Sequence, residues 1–280
     1  MLIITGATGT LGQLVVEEAL KVFPANEVGV SVRDASKAQE LVKRGVSVRE
    51  GDFKKAESLT QAFDGADDLL VISGNGQGEE LVQAHKNVIE AAKQVGVKRL
   101  LYTSQIGSAP QSHFQPMVDH YQTEQLLEES GLNFIALRNG FYSASGQQFF
   151  FGGLQDGQLK LPKDGPVNWT THEDLAEGIV KIIQDENFDE KYPQLTSSRA
   201  ITMEEIANEY KQDGIERVVI SSDEYKEALS FIPNLPEEMK QMFVDIFEAS
   251  ADGDFNKTSP LLEQLLGRKP QDIVDILNNK

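Results

Sequence analysis

The run Thr5-Gly6-Ala7-Thr8-Gly9-Thr10-Leu11-Gly12 follows the apolar segment Leu2-Ile3-Ile4 and opens a helical pattern through Leu14, Val15, Ala19 and Leu20. Three glycines at a spacing of three allow a tight strand-to-helix turn, close approach of backbone to a pyrophosphate, and tight helix packing. The helix N-terminus adds unpaired N–H donors. This arrangement predicts a dinucleotide site, with Gly6, Thr8, Gly9, Thr10, Leu11 and Gly12 holding the phosphates.

At the end of Val28-Gly29-Val30-Ser31-Val32, where an NAD site carries an acidic residue for the ribose hydroxyls, this chain has Arg33. A guanidinium there, with Lys37 one turn later, suits a ribose 2′-phosphate and predicts NADP (as NADPH) over NAD. Asp34 next to it would blunt that preference. Asp52 and Phe53 follow the third strand within reach of an adenine. Asp52 either accepts from the adenine amino group or closes a turn. Ser73, Gly74 and Asn75 follow the fourth strand and are small enough to let backbone approach the cofactor.

The elements that must carry these residues are legible as alternating β-branched runs and amphipathic segments. Strands are predicted at 2–5, 28–32, 46–49, 68–72, 99–103 and 133–137, with helices between them, the clearest at 81–95. The fold class is therefore α/β, a Rossmann-like doubly wound parallel sheet. After residue 140 come Phe149-Phe150-Phe151-Gly152-Gly153, a helix at 173–183, and a mostly helical remainder. We expect an NAD(P)-binding domain at 1–140. At 141–280 we expect a segment that returns to the sheet and forms a smaller, mostly α-helical substrate cap.

The chain has 280 residues, no cysteine and a formal net charge of -18, which excludes thiolate chemistry and disulfides and argues against nucleic acid or an anionic membrane as partner. Residues 185–254 hold 18 acidic against 6 basic residues, a concentration read as a solvated face. No His and carboxylate spacing suggests a metal, and no segment is long and apolar enough to span a membrane, so a cytoplasmic location is expected.

Together these residues resemble the short-chain dehydrogenase superfamily, in its atypical NmrA-like branch. They are most similar to flavin-independent NAD(P)H:quinone oxidoreductases and triphenylmethane dye reductases. The resemblance is carried by Ile4 to Gly12, Val32-Arg33-Asp34, Leu70 to Gly74, His85 to Lys93, Gly96-Val97-Lys98 and Tyr102-Thr103-Ser104. It continues through His120 to Glu124, Leu137-Arg138-Asn139-Gly140-Phe141-Tyr142, Lys257-Thr258-Ser259 and Leu265 to Arg268. In the superfamily the proton donor is a Tyr four residues before a Lys. Here Pro116 and His120 occupy those positions, which argues against alcohol dehydrogenation and against sugar epimerase or dehydratase chemistry.

The resemblance implies direct hydride transfer to a quinone or similar planar acceptor, with no flavin and no metal. It gives catalytic or substrate roles to His120, Ser104 and Tyr142, with Thr103, Asn139, Gly140 and Phe141 on the nicotinamide side. His120 and Glu124, four apart, would pair on one helix face and favour the charged imidazole. His85 is expected to be a packing histidine, and a monomer or homodimer is expected. The alternative is a non-enzymatic NADP-binding sensor of the NmrA-like type.

Overall fold

The computed structural model describes residues 1–278 as two compact units, of which the first comprises Met1–Gln105, Asp119–Asn139 and His172–Pro193. It is built on six parallel strands, β1 (Leu2–Thr5), β2 (Val28–Val32), β3 (Ser47–Glu50), β4 (Asp68–Val71), β5 (Arg99–Gln105) and β6 (Phe134–Asn139), in the order β6-β5-β4-β1-β2-β3. Every residue of β1 and β2 is buried, as expected of a sheet covered on both faces. The helices are α1 (Thr10–Val22), α2 (Gln39–Lys43), α3 (Ala56–Phe63), α4 (Glu79–Val95), α5 (Gln115–Ser130), α6 (Ser143–Gly153) and α7 (His172–Gln184). Among them α1 packs on α7 and α3 packs on α4.

The order reverses between β1 and β4, which pair through Leu2 and Asp68. From this point α1 leads to β2 on one side and α4 leads to β5 on the other, so a crevice opens beyond the strands' carboxyl ends. Two strand-end hydroxyls shape it. Thr5 Oγ1 accepts the Ile72 N–H at 3.0 Å and Thr103 Oγ1 accepts the Ser73 N–H at 2.9 Å, drawing the loop after β4 toward its neighbours.

Helix α4 buries Ala84, His85, Val88, Ile89, Ala91 and Ala92 as one stripe. It stops at Gly96, whose φ of 75° permits the left-handed cap that directs its N–H to the carbonyls of Ala92 and Lys93. Buried Arg99 donates to the carbonyls of Ile183 (2.6 Å) and Asp185 (2.8 Å) and to the Asp68 carboxylate (2.7 Å), fastening the C-terminal end of α7 to the sheet.

The second unit comprises Ile106–Val118, Gly140–Thr171 and the chain from Gln194. It pairs Phe141–Tyr142 with Trp169–Thr170, joins 154–155, 158–161 and 216–219 in a three-stranded sheet, and is otherwise largely helical. Beside the expected division at residue 140 with a segment that returns to the sheet, both units are discontinuous. Ile106, Phe114 and Met117 pack into the second core, so residues 106–118 leave the first unit, while 172–193 join it. The run Phe149-Phe150-Phe151 lies in α6, with Phe149 and Phe150 in that core and Phe151 exposed. No helix among the described residues is long and apolar enough to cross a membrane.

Arg99→Met keeps much of the buried stem but strands the last carbonyls of α7 and one carboxylate. We expect a loss of about 2–4 kcal/mol in urea unfolding. A loss below about 0.5 kcal/mol would show that Arg99 does not hold α7.

Candidate functional site

The turn after β1 is forced by its glycines. Gly6 has φ 64°, its carbonyl accepts the Gly9 N–H at 2.9 Å, and a Cβ on Gly12 would lie 2.1 Å from that same carbonyl oxygen. Helix α1 therefore starts directly over the end of β1. Its N-cap is Gly9, no side chain caps it, and no acidic residue stands in its first turn. Thr8, Gly9 and Thr10 are exposed, whereas Leu11 is buried and offers only its backbone. An uncapped, acid-free helix start is electropositive and unsatisfied, the condition for binding a phosphate.

Beside it lies a cleft of about 660 Å³ lined by Thr8, Gly9, Thr10, Gln13, Lys37 and Arg44 among others. Lys37 thus shares a cavity with the glycine turn. Arg33 is exposed at the end of β2 and is not part of that lining. Asp34 accepts from Ser36 through both N–H (3.0 Å) and Oγ (2.6 Å), and these bonds hold its carboxyl below the usual range. Its charge is spent on capping the turn Ala35–Ala38.

For Asp52 the structure shows the turn alternative. Its Oδ1 accepts the Lys54 N–H at 3.0 Å and its own N–H donates to Ser58 Oγ. Phe53 is half-buried with its ring 6.3 Å edge-on from His85, and its carbonyl accepts from Asn87. Ser73 Oγ lies 3.3 Å from His85 Nε2. Gly74 faces Leu81, Asn75 is exposed, and the loop is tied down where the Gly78 N–H donates to Asp119 at 2.6 Å.

Between β5 and α5 lies a buried polar layer that sequence reasoning largely missed. The Tyr102 hydroxyl is 2.8 Å from His120 Nδ1, and His85 Nδ1 is 3.0 Å from Thr123 Oγ1. Burial pushes His120 down to about 4, against a smaller opposing pull from Glu124, and it pushes His85 down to about 3, with His120 adding to that shift. Burial also raises the Tyr102 hydroxyl. Both imidazoles are neutral at neutral pH. His85 is a packing histidine with both nitrogens engaged, as expected.

The expected His120–Glu124 pair does not form. Glu124 is buried, accepts from Arg138 Nε (2.9 Å) and from a terminal guanidinium nitrogen (2.6 Å), and accepts from Ser104 Oγ at 2.6 Å. Arg138 also stacks over Tyr192 at 4.7 Å. A guanidinium binds a carboxylate in two-pronged fashion and outcompetes an imidazole for it, so the prediction of a charged His120 is corrected to a neutral one. The correction extends to Ser104, whose only proton is directed to Glu124. Thr103 likewise spends an oxygen lone pair on the Ser73 N–H.

Past β5, Asn139 at the end of β6 is buried with neither side-chain nitrogen nor oxygen hydrogen-bonded among the described residues. Such an orphan costs about 1–3 kcal/mol unless a ligand satisfies it. Phe141 does not offer a free stacking face. Its ring packs on Phe255 (5.0 Å), Trp169 (5.6 Å) and Phe114 (6.1 Å) in the second core, which corrects its expected cofactor contact. Gly140 is small because a Cβ would meet Thr170 Oγ1 at 2.1 Å, and its N–H donates to Leu195. Tyr142 is half-buried and is the N-cap of α6. A polar residue placed among the apolar positions of a strand, as Tyr102 and Arg138 are, was the available signal for the buried layer.

Thus the bare α1 terminus, the glycine contacts that leave no room for Cβ, and the orphaned Asn139 amide fit a dinucleotide. Fold and site together define a nucleotide-dependent reductase of the doubly wound type. The NAD(P)H-binding family profile matches residues 6–186. Quinone oxidoreductase 2 of Escherichia coli strain K12 is 32% identical over 95% of this chain and 94% of its own. The structure of the NADPH-dependent quinone oxidoreductase of Escherichia coli in complex with NADPH superposes with a TM-score of 0.91 at 31% identity, covering 100% of both chains. The Citrobacter sp. triphenylmethane reductase complexed with NADP(H) gives 0.88 at 29%, over 99% of both. The chain belongs to the NAD(P)H-binding NmrA-like family and is a reductase of the quinone oxidoreductase-like type.

The neutral histidines set a pH dependence. Between about pH 4 and 6.5 the unfolded chain binds protons that His120 and His85 refuse in the folded state, so stability must fall as pH drops through that window. In urea titrations across it, His120→Asn should reduce the slope of unfolding free energy against pH by up to about one proton. An unchanged slope would mean His120 titrates normally.

Proposed function

We propose that the protein is an NADPH-dependent, flavin-free reductase that passes hydride directly to quinones or similar planar conjugated acceptors. The observation that carries this reading is the neutral, half-buried His120 standing where the superfamily's lysine would be, with Pro116 in place of the tyrosine. A hydroxyl substrate needs a base at its oxygen, and this chain supplies no charged Lys and phenol pair there. An electron-poor conjugated acceptor needs only proximity and a partly dry environment, because water can protonate the delocalised product.

When bound, reduced nicotinamide dinucleotide supplies the hydride. The chain's own residues bind and orient. The N–H groups at the start of α1 would hold the pyrophosphate, Lys37 and Arg33 would provide cations for a ribose 2′-phosphate, and the Asn139 amide would offer a donor and an acceptor to the nicotinamide carboxamide. The relatives named for quinones and triphenylmethane dyes, both solved with NADPH or NADP(H), support the acceptor class.

The test is NADPH oxidation with benzoquinones, naphthoquinones and a triarylmethane dye, with NADH in parallel. We expect acceptor-dependent oxidation, faster with NADPH. Tight NADPH binding with no acceptor speeding its oxidation would favour the NADP-sensor reading instead. Arg33→Ala and Lys37→Ala should each weaken NADPH binding by about 10-fold, the value of roughly one charge-assisted contact, and leave NADH within about 2-fold. Equal effects on both nucleotides would remove the 2′-phosphate argument.

A further inference from the structure

Hydride transfer to a conjugated acceptor does not by itself call for the buried layer around His120. Tyr102 enters it from β5, its ring 5.2 Å from His85 and 5.7 Å from His120, both on helices packed over the sheet. The proton directions in this layer can be followed from one end. The Asp119 carbonyl can only accept, and it takes the Thr123 hydroxyl proton at 2.9 Å. The Thr123 oxygen then accepts from His85 Nδ1 at 3.0 Å, so His85 carries its single proton on Nδ1. Its bare Nε2 accepts from Ser73 Oγ at 3.3 Å. The Tyr102 hydroxyl, which Thr123 and Ser73 also approach, lies 2.8 Å from His120 Nδ1, and a proton donated along that contact leaves Nδ1 bare.

We propose that Tyr102 is a positioning residue whose hydroxyl fixes His120 as the Nε2–H tautomer, making that nitrogen a hydrogen-bond donor to the oxygen of the bound acceptor. This rests on the reductase reading. As hydride adds to the acceptor, its two electrons enter the conjugated system and negative charge gathers on oxygen. His120 stabilises that charge by donating a hydrogen bond and keeps its proton, and water supplies the proton that completes the reduced product. The other tautomer would turn a lone pair toward the same oxygen. Tyr102, His85, Thr123 and Ser73 therefore act through which nitrogen of His120 is protonated, with no contact to the acceptor.

The experiment is imidazole ¹⁵N NMR of histidine-labelled protein at neutral pH, with His120→Gln assigning the signal among the four histidines. In the unmodified protein we expect His120 to have a bare Nδ1 and a protonated Nε2, and in Tyr102→Phe a population protonated on Nδ1. In the benzoquinone assay Tyr102→Phe should lower kcat about 10-fold with the KM for NADPH changed by less than about 2-fold. In the His120→Gln background, whose amide has no tautomers, Tyr102→Phe should cost nothing further. A protonated Nδ1 in the unmodified protein, or equal losses with and without His120, would overturn the proposal. The unmodified protein's spectrum decides the tautomer even if Tyr102→Phe does not fold. It also separates the two readings: absence of quinone turnover with the expected tautomer sinks the reductase reading alone.

Discussion

The rest of the first unit depends on the contact of Gly12 with the carbonyl of Gly6, where any side chain would stand 2.1 Å from oxygen. It sets α1 directly over the end of β1, at the place where the strand order reverses. Because Gly9 has no side chain to cap the helix and the first turn carries no acid, the helix start stays unsatisfied and electropositive. The loop after β4 is drawn beside it by two hydroxyls, Thr5 and Thr103, from the strands on either side. The glycine-turn end of the first unit, where we propose the nucleotide binds, is thus made mainly of backbone, held in place by small residues.

The other end of the site is built differently. Between β5, β6, α4 and α5 the chain buries Glu124, Ser104, Tyr102, Thr123 and His85 and half-buries Arg138 and His120, and most polar atoms there have a partner. A buried ion pair contributes little net stability, since desolvation offsets much of the attraction. What a fully satisfied polar layer does contribute is a single arrangement. Glu124 is claimed by Arg138, which leaves His120 to Tyr102, and burial keeps the imidazole neutral. Where the superfamily's lysine would stand, this chain has an uncharged imidazole.

Much of the fold was legible because its signals are local. The six parallel strands lie within two residues of the expected positions at every end, and the glycine turn follows its strand as predicted. The site residues divide by the same rule. Gly6, Gly9 and Gly12 act through backbone geometry, which their type announces. Ser104, Phe141 and His120 act through neighbours far away in sequence, and for them the expectations needed correction. Ser104 is expected to act on substrate because Glu124, which takes its proton, is twenty residues distant. Phe141 is expected on the nicotinamide side because Trp169 and Phe255 do not appear near it in the chain.

By itself the sequence determined a doubly wound sheet, a glycine turn opening α1, a cationic residue at the end of β2, and the absence of a Tyr and Lys pair at 116 and 120. Each of these is a matter of residue type at fixed spacing along one segment. Only the tertiary structure decided the charge state of His120, the partner of Glu124 and the orphaning of Asn139. Those depend on competition among groups from different strands and helices, and on how far burial removes water from them. Spacing along one helix showed that His120 and Glu124 share a face, but Arg138 from β6 reached the carboxylate in their place.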